Sequence, residues 1–304
     1  MPTFVYDDPP VRSSRPIAAG LLWSSPWIVG LCAFLLIPLV LSFWYSLTDY
    51  PLLKPAVFIG LDNYTSLLQD ERFWRVVRNT TIYSLFAIPL CTVVSLVLAA
   101  MLASPGVKWP RLWTALIFMP TLVPMMAAAM IWLWLLNARY GAINVIFGTL
   151  GVVGPNWLED ASWALPSILL TSVWGIGQMM VVYIAAINEV PRSLYEAARI
   201  DGMSAPRRLW HVTLPMISPT ILFNVITLTI GSFQTFVMPY VLFRNERGQK
   251  AAGDFYNLYL YDNAFVYQKF GAACAMAWMQ LLVVLALTGL MLLASKKLVH
   301  YRGA

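Results

Sequence analysis

The chain has 304 residues, 60% of them hydrophobic and only 11% charged. A soluble domain of this length carries about 25% charged residues, so the composition argues for a protein solvated mainly by lipid. The net charge of +6 does not point to nucleic acid, because the basic residues flank apolar stretches, where the positive-inside rule and anionic lipid account for them.

A short polar tail opens the chain, and the first apolar run is too long for a signal peptide and lacks a clean cleavage site, so it reads as a retained span. Uncharged stretches follow at 16–48, 79–107, 112–138, 161–188, 212–243 and 270–295. Each exceeds the roughly 20 residues that a helix needs to cross the hydrocarbon core. They predict six transmembrane helices near 21–47, 80–103, 113–136, 164–187, 216–242 and 272–294. Strand-type alternation is absent, which disfavours a β-barrel. The expected fold class is all-α integral membrane. Its divisions are a tail at 1–20, a membrane domain at 21–295 and a second tail at 296–304.

Six spans place both termini on one side, together with the loops at 104–111 and 188–215. That side carries 11 of the 20 Lys and Arg residues and a net +6, while the other side sums to zero. The positive-inside rule makes it cytoplasmic, with both termini there. Inside the spans, Pro26, Pro38, Pro89, Pro120, Pro124, Pro166, Pro219 and Pro239 each remove a backbone hydrogen bond and invite a kink. They fit ordinary membrane helices and a bent bundle around a cavity equally well. Trp23, Trp27, Trp44, Tyr45, Trp132, Trp134, Trp157 and Trp163 are expected at the lipid–water interfaces. Cys32, Cys91 and Cys274 lie in apolar stretches without metal-site spacing and are expected as buried free thiols.

The non-cytoplasmic loops are long enough to carry function. Residues 55–78 contain Asp62-Asn63-Tyr64 and an amphipathic run from Asp70 to Arg78. Residues 244–262 carry Arg244, Arg247, Lys250, Asp254 and Asp262, near tyrosines 256, 259, 261 and 267.

The segment 188–215 is the best-organised polar stretch. Pro191 closes span four, and Ser193 with Glu196 three residues on fits a capping box. Leu194, Ala197 and Ala198 favour helix. Asp201-Gly202 ends it, with Gly202 able to take a left-handed conformation. Arg207 and Arg208 opposite Leu209 and Trp210 suggest a second helix lying at the membrane surface, before Leu214-Pro215 returns to the bilayer. A simple surface connector between two spans is the plainer reading.

Glu196-Ala197-Ala198, then Asp201-Gly202, then Leu214-Pro215 and Pro219 resemble the EAA loop of binding-protein-dependent ABC importer permeases. The segments Phe58-Ile59-Gly60-Leu61-Asp62-Asn63-Tyr64, Tyr259-Leu260-Tyr261 and Phe270-Gly271 resemble the sugar-importing subgroup, of the maltose and glycerol-phosphate type. The resemblance covers the chain from span one onward and departs at Met203, where the family often has Ala. It implies a type I ABC importer permease fold in a bacterial plasma membrane. It also implies a second permease subunit, two ATPase subunits and an extracytoplasmic substrate-binding protein as partners. Glu196, Ala197, Ala198, Asp201 and Gly202 would couple to the ATPase. This chain has no GxxxxGK[ST] loop, so ATP and Mg would be bound by that partner, and no cofactor or metal by this chain.

No span carries an interior charge, which suits a neutral, polyhydroxylated solute. Gln178 follows Trp174, Gly175 and Gly177 in span four. Ser232, Gln234 and Thr235 lie where the resemblance places sugar contacts in span five. Interhelical hydrogen bonding is the alternative use of such residues. Two other classes compete. A membrane enzyme such as a lipid-linked glycosyltransferase wants an acidic catalytic motif, and Asp7-Asp8, Asp70-Glu71 and Glu159-Asp160 lack metal-site company. An ion-coupled secondary transporter usually wants an intramembrane ionisable residue, which the spans lack.

Overall fold

A computed structural model describes residues 15–243 and 251–298, with side chains described from 19 to 243 and from 252 to 296. The expectations for residues 1–14, for the loop containing Arg244, Arg247 and Lys250, and for residues 299–304 lie outside that range. Helix dominates, and the strand content among the described residues is one antiparallel ribbon pairing Thr48–Asp49 with Val57–Phe58.

Span one is α1 (Arg15–Leu31), a five-residue π-helical turn at Cys32–Leu36, and α2 (Ile37–Ser46). Pro38 has no N–H to donate into the preceding turn, and the wider π turn lies just ahead of it. α3 (Asp62–Gln69) packs beside the base of span six. Span two is α4 (Glu71–Leu102). It begins nine residues earlier than the sequence suggested, because the Asp70 side chain accepts from the Arg72 N–H at 2.8 Å and caps it. The amphipathic run to Arg78 is its first two turns.

Span three is broken. α5 (Pro110–Phe118) passes through a 3₁₀ turn at Met119–Leu122 into α6 (Met125–Leu135), bent by 98°. Val123 is extended, at φ −74°, ψ 126°, as expected of a residue that Pro124 bars from helical conformation. α7 (Ala142–Thr149) is a short helix in the following loop. Span four is α8 (Ala161–Trp174) and α9 (Gly177–Asn188), bent by 48° at Gly175-Ile176. Gly177 is needed there, because a Cβ would meet the Ile117 carbonyl oxygen at 2.5 Å and Phe118 Cα at 2.7 Å.

α10 (Arg192–Ile200) stands alone beyond span four. α11 (Ala205–Arg208), a π turn at Leu209–Thr213 and α12 (Leu214–Met216) then run at 73° to α13 (Ser218–Phe233). α14 (Val237–Phe243) follows after a non-helical step at 234–236, so the continuous fifth span expected over 216–242 is interrupted. α15 (Tyr256–Tyr261), a π turn at Asp262–Val266 and the long α16 (Phe270–Leu298) complete the described residues. Among the described residues, three helices are long and apolar enough to cross a membrane, and up to six spans result if each bent pair is one span.

Beside a core of Leu67, Phe73, Val76, Tyr256, Tyr259 and Met276, two further apolar cores lie among the described residues. One gathers Tyr83, Trp132, Leu136, Trp157, Ile168, Phe243 and Phe255. The other joins Ala99, Met180 and Tyr183, near α10. Trp132 and Trp157 are thus buried, not interfacial; the Trp157 indole N–H donates to Asn144 Oδ1 at 2.8 Å, which satisfies its polar edge inside the fold. Trp23 and Trp27 remain exposed. Cys91 and Cys274 are buried, whereas Cys32 is exposed because span one lies on the outside of the bundle.

Two of the motif-bearing segments meet at the end of span one. Asn63 donates to the carbonyls of Ser46 and Thr48, both at 2.9 Å. The Tyr64 and Ser46 hydroxyls lie 2.8 Å apart, and the Phe270 N–H donates to the Tyr50 carbonyl at 3.0 Å.

Candidate functional site

α10 has two faces. Tyr195 and Ala198, three apart, turn toward the chain's own Leu209–Thr213 turn, and Ala198 is buried. Ser193, Glu196, Ala197 and Ile200 share the opposite face and are all exposed, Ile200 to 87%. The two adjacent alanines therefore differ in use: Ala198 allows close packing within the chain, while Ala197 keeps the outer face low between a carboxylate and an apolar tip. A larger residue at 197 would stand between Glu196 and Ile200.

The ends of α10 are set by backbone chemistry. Pro191, in extended conformation at φ −56°, ψ 129°, occupies the cap position, and no side chain caps the helix. Ser193 therefore lies inside the first turn, and the expected capping box is not formed; proline already fixes the start. At the other end Met203 N–H donates to the Ala198 carbonyl at 2.9 Å and Gly202 N–H to the Arg199 carbonyl at 3.0 Å. This pair of bonds is a Schellman closure, with Gly202 at φ +70°. A Cβ on Gly202 would meet nothing within 4 Å, so within this chain the requirement is conformational. Asp201 is exposed beside it. The Tyr195 and Thr213 hydroxyls, 2.9 Å apart, tie α10 to the turn leading into span five.

The four residues expected along a substrate path lie at or near the breaks in spans four and five. Gln178 and Gln234 are exposed. Ser232 is buried, its hydroxyl donating to the Thr229 carbonyl at 3.0 Å. Thr235 is half-buried and reaches the Tyr83 hydroxyl. Tyr83 also meets Ser172 Oγ at 2.9 Å. One tyrosine on span two thus joins the ends of α8 and α13 where both spans break. At that second break, the Phe233 carbonyl accepts from Gln280 Nε2 at 2.6 Å and Asn257 Nδ2 at 3.5 Å. A carbonyl released from a helix inside an apolar bundle needs such partners.

At the end opposite α10, Arg72 forms a hub. Its guanidinium donates to both carboxylate oxygens of Asp254, at 2.7 and 2.9 Å, to Asp262 at 3.0 Å and to the Tyr267 hydroxyl at 2.9 Å. It also lies 4.5 Å from the Tyr259 ring centroid. The Tyr259 hydroxyl donates to Asp70, whose other oxygen caps α4. Burial, with the bond to Asp70 next, pushes Tyr259 up to about 12 from 10.0, so it stays a donor at neutral pH. The sequence pointed to Asp254 and Asp262 but not to Arg72, which lies 182 and 190 residues away from them. No local spacing carries that pairing.

Residues 80–300 match the family described as binding-protein-dependent transport system inner membrane component. The chain is 32% identical over 303 residues to the probable ABC transporter permease protein YesP of Bacillus subtilis (strain 168), covering 96% of each. It is 31% identical over 283 residues to the lactose transport system permease protein LacF of Rhizobium radiobacter, covering 91% of this chain and 94% of that one. The sulfoquinovosyl glycerol transport system permease protein SmoG of Agrobacterium fabrum (strain C58 / ATCC 33970) is 33% identical over 225 residues, or 73% and 72%. A chain of a bacterial alginate ABC transporter superposes with a TM-score of 0.81 at 22% identity, covering 93% and 94%. That likeness shows the type I importer permease fold. The chain belongs to the binding-protein-dependent transport system inner membrane component family.

Proposed function

We propose that this chain forms half of the translocation pathway of an ATP-driven sugar importer and takes its motion from a separate ATPase through α10. The observation that carries this reading is the two-faced α10: Tyr195 and Ala198 lock it to the chain, while Ser193, Glu196, Ala197 and Ile200 face outward, uncovered by any of the described residues. Glu196 and Ile200 offer a charge and an apolar tip to a cleft, Ala197 lets the cleft wall approach, and Asp201-Gly202 directs the chain away.

In this reading α10 and both termini lie in the cytoplasm, and the Arg72 hub lies outside a bacterial plasma membrane. A second permease subunit completes the pathway, two ATPase subunits bind ATP and Mg, and a substrate-binding protein delivers sugar on the hub side. The sugar class rests on the lactose and sulfoquinovosyl glycerol relatives and on the uncharged span interiors. Gln178 and Gln234 face the sugar in the opened pathway, with Ser232 and Thr235 behind them. The partner ATPase performs the hydrolysis, so this chain is a transport subunit and not an enzyme. ATP binding shifts the bundle between its two openings because the ATPase grips α10 differently in each state.

The test is Glu196→Lys in the assembled transporter, with a cysteine at Ile200 for cross-linking. Uptake is expected to be lost while the complex stays in the membrane, and the Ile200 cysteine is expected to cross-link to the ATPase subunit. Normal uptake by Glu196→Lys, with no cross-link from 200, overturns the coupling role.

A further inference from the structure

The segment from α15 through its π turn has a second face that the Arg72 hub does not use. Tyr256, Tyr259, Asp262 and Asn263 are buried. The Tyr256 hydroxyl donates to the Met276 carbonyl at 2.7 Å, and Asp262 meets Arg72. Tyr261 and Phe265, four apart, join rings from the broken fifth span instead. The Phe265 and Tyr261 centroids lie 4.9 Å apart, Tyr261 and Phe236 5.3 Å, and Tyr261 and Tyr240 5.5 Å. Phe236 and Tyr240 close the group at 5.1 Å. The strip runs from Phe265, 62% exposed, to Phe236, which directly follows Gln234 and Thr235 at the break.

We propose that Phe265, Tyr261, Tyr240 and Phe236 form a stacking track on which a sugar ring contacts the protein before it reaches Gln234. This rests on the sugar-importer reading above. A pyranoside presents a patch of C–H groups on its ring face and hydroxyls around its rim. Aromatic faces complement the patch, and an amide and a hydroxyl at the inner end complement the rim. The strip differs from an interfacial belt in two respects. Its rings nest on one another, with Phe236 and Tyr240 packed against the apolar core. The segment bearing Tyr261 and Phe265 is also fixed at both margins: Arg72 holds Asp254, Asp262 and Tyr267 on one side, while Asn257 reaches the Phe233 carbonyl on the other. A surface held so firmly is preorganised, which lowers the ordering cost of binding.

The test uses the complete transporter, with its partner subunits and binding protein, reconstituted in vesicles and supplied in turn with radiolabelled lactose, trehalose and maltose, and with sulfoquinovosyl glycerol. Sugar taken up per ATP hydrolysed is compared between the wild type, Phe265→Leu, Tyr261→Leu, and the ring-retaining Phe265→Tyr and Tyr261→Phe. The leucine variants are expected to lose about three- to tenfold in that ratio, and the ring-retaining variants to stay within about twofold of wild type. Leucine variants with an unchanged ratio overturn the track and leave the sugar-importer reading intact. A wild-type complex that takes up neither these three sugars nor sulfoquinovosyl glycerol overturns the sugar reading, and the track with it.

Discussion

The hydroxyls of Tyr195 and Thr213, 18 residues apart in sequence, lie 2.9 Å from each other and form the side-chain tie between α10 and the turn that leads into span five. A single hydrogen bond of this kind contributes about 1 kcal/mol to the docking of the helix. Tyr195→Phe keeps the ring and removes the tie. Uptake is expected to fall severalfold while ATP hydrolysis by the assembled transporter falls less. Equal losses in both rates would show that the tie serves stability alone.

Gly202 separates two causes of glycine dependence. Its positive φ costs a non-glycine residue about 1 kcal/mol, and asparagine tolerates that region best. If conformation is the whole requirement, Gly202→Asn transports nearly as well as wild type and Gly202→Ala is mildly impaired. Contact with an ATPase surface adds a steric term. Both variants would then lose uptake with little change in thermal stability, and melting and uptake measured together decide between the two.

Removing the Arg72 side chain leaves two acidic partners, Asp254 and Asp262, mostly buried with no guanidinium between them. Breaking such a cluster typically costs about 3–5 kcal/mol. Arg72→Ala is expected to lower the melting temperature of the detergent-solubilised complex markedly. Arg72→Lys should recover only part of the loss, because lysine cannot bond both Asp254 oxygens as a fork. A lysine variant equal to wild type would show that charge alone is enough.

Gly177 sets how closely α9 approaches α5. A methyl group there must displace the Ile117 carbonyl or the Phe118 backbone. Overpacking of this kind costs about 1–3 kcal/mol. Gly177→Ala is expected to destabilise the complex by that amount, and Gly177→Val by more, both read by thermal melting. Wild-type melting of the alanine variant would show that the bend in span four opens without strain.

Tyr259 gives the hub a defined response to alkali. Its pKa is raised from 10.0 to about 12, so its contribution is fully present below about pH 10 and is lost as pH rises through about 12. The stability gap between wild type and Tyr259→Phe should be constant from neutral pH to about 10 and close above it. Tyrosinate absorbance, as the difference between the two proteins, should show one group titrating near the upper value. A gap that closes below pH 9 would contradict the buried donor.

The number and order of apolar stretches were legible in the sequence because span length is a local property. The end of α10 at Gly202 was legible too, since a glycine after a run of helix formers has few other uses. The breaks were only partly so. Pro124 does interrupt span three, but Pro26, Pro89 and Pro166 lie inside continuous helices, and the step at 234–236 contains no proline. What holds that step is Gln280 and Asn257, whose approach depends on tertiary packing. The same limit hid Arg72 and the burial of Trp132 and Trp157. Ser193 misled for a local reason: it has the chemistry of a cap, but Pro191 had already begun the helix.

The distribution of bends gives the bundle joints as well as rods. Spans one, two and six run without a sharp break, while spans three, four and five each carry one part-way along. α10 lies between the fourth and fifth, so in the coupling proposed above a push upon it enters two jointed members and no straight one. At the joint of span five the Phe233 carbonyl is held by Asn257 and Gln280, beside the segment that the Arg72 hub anchors. In the importer proposed above, such joints let the two mouths of the bundle be worked in turn, and a pathway whose ends move separately need never stand open from one side of the membrane to the other.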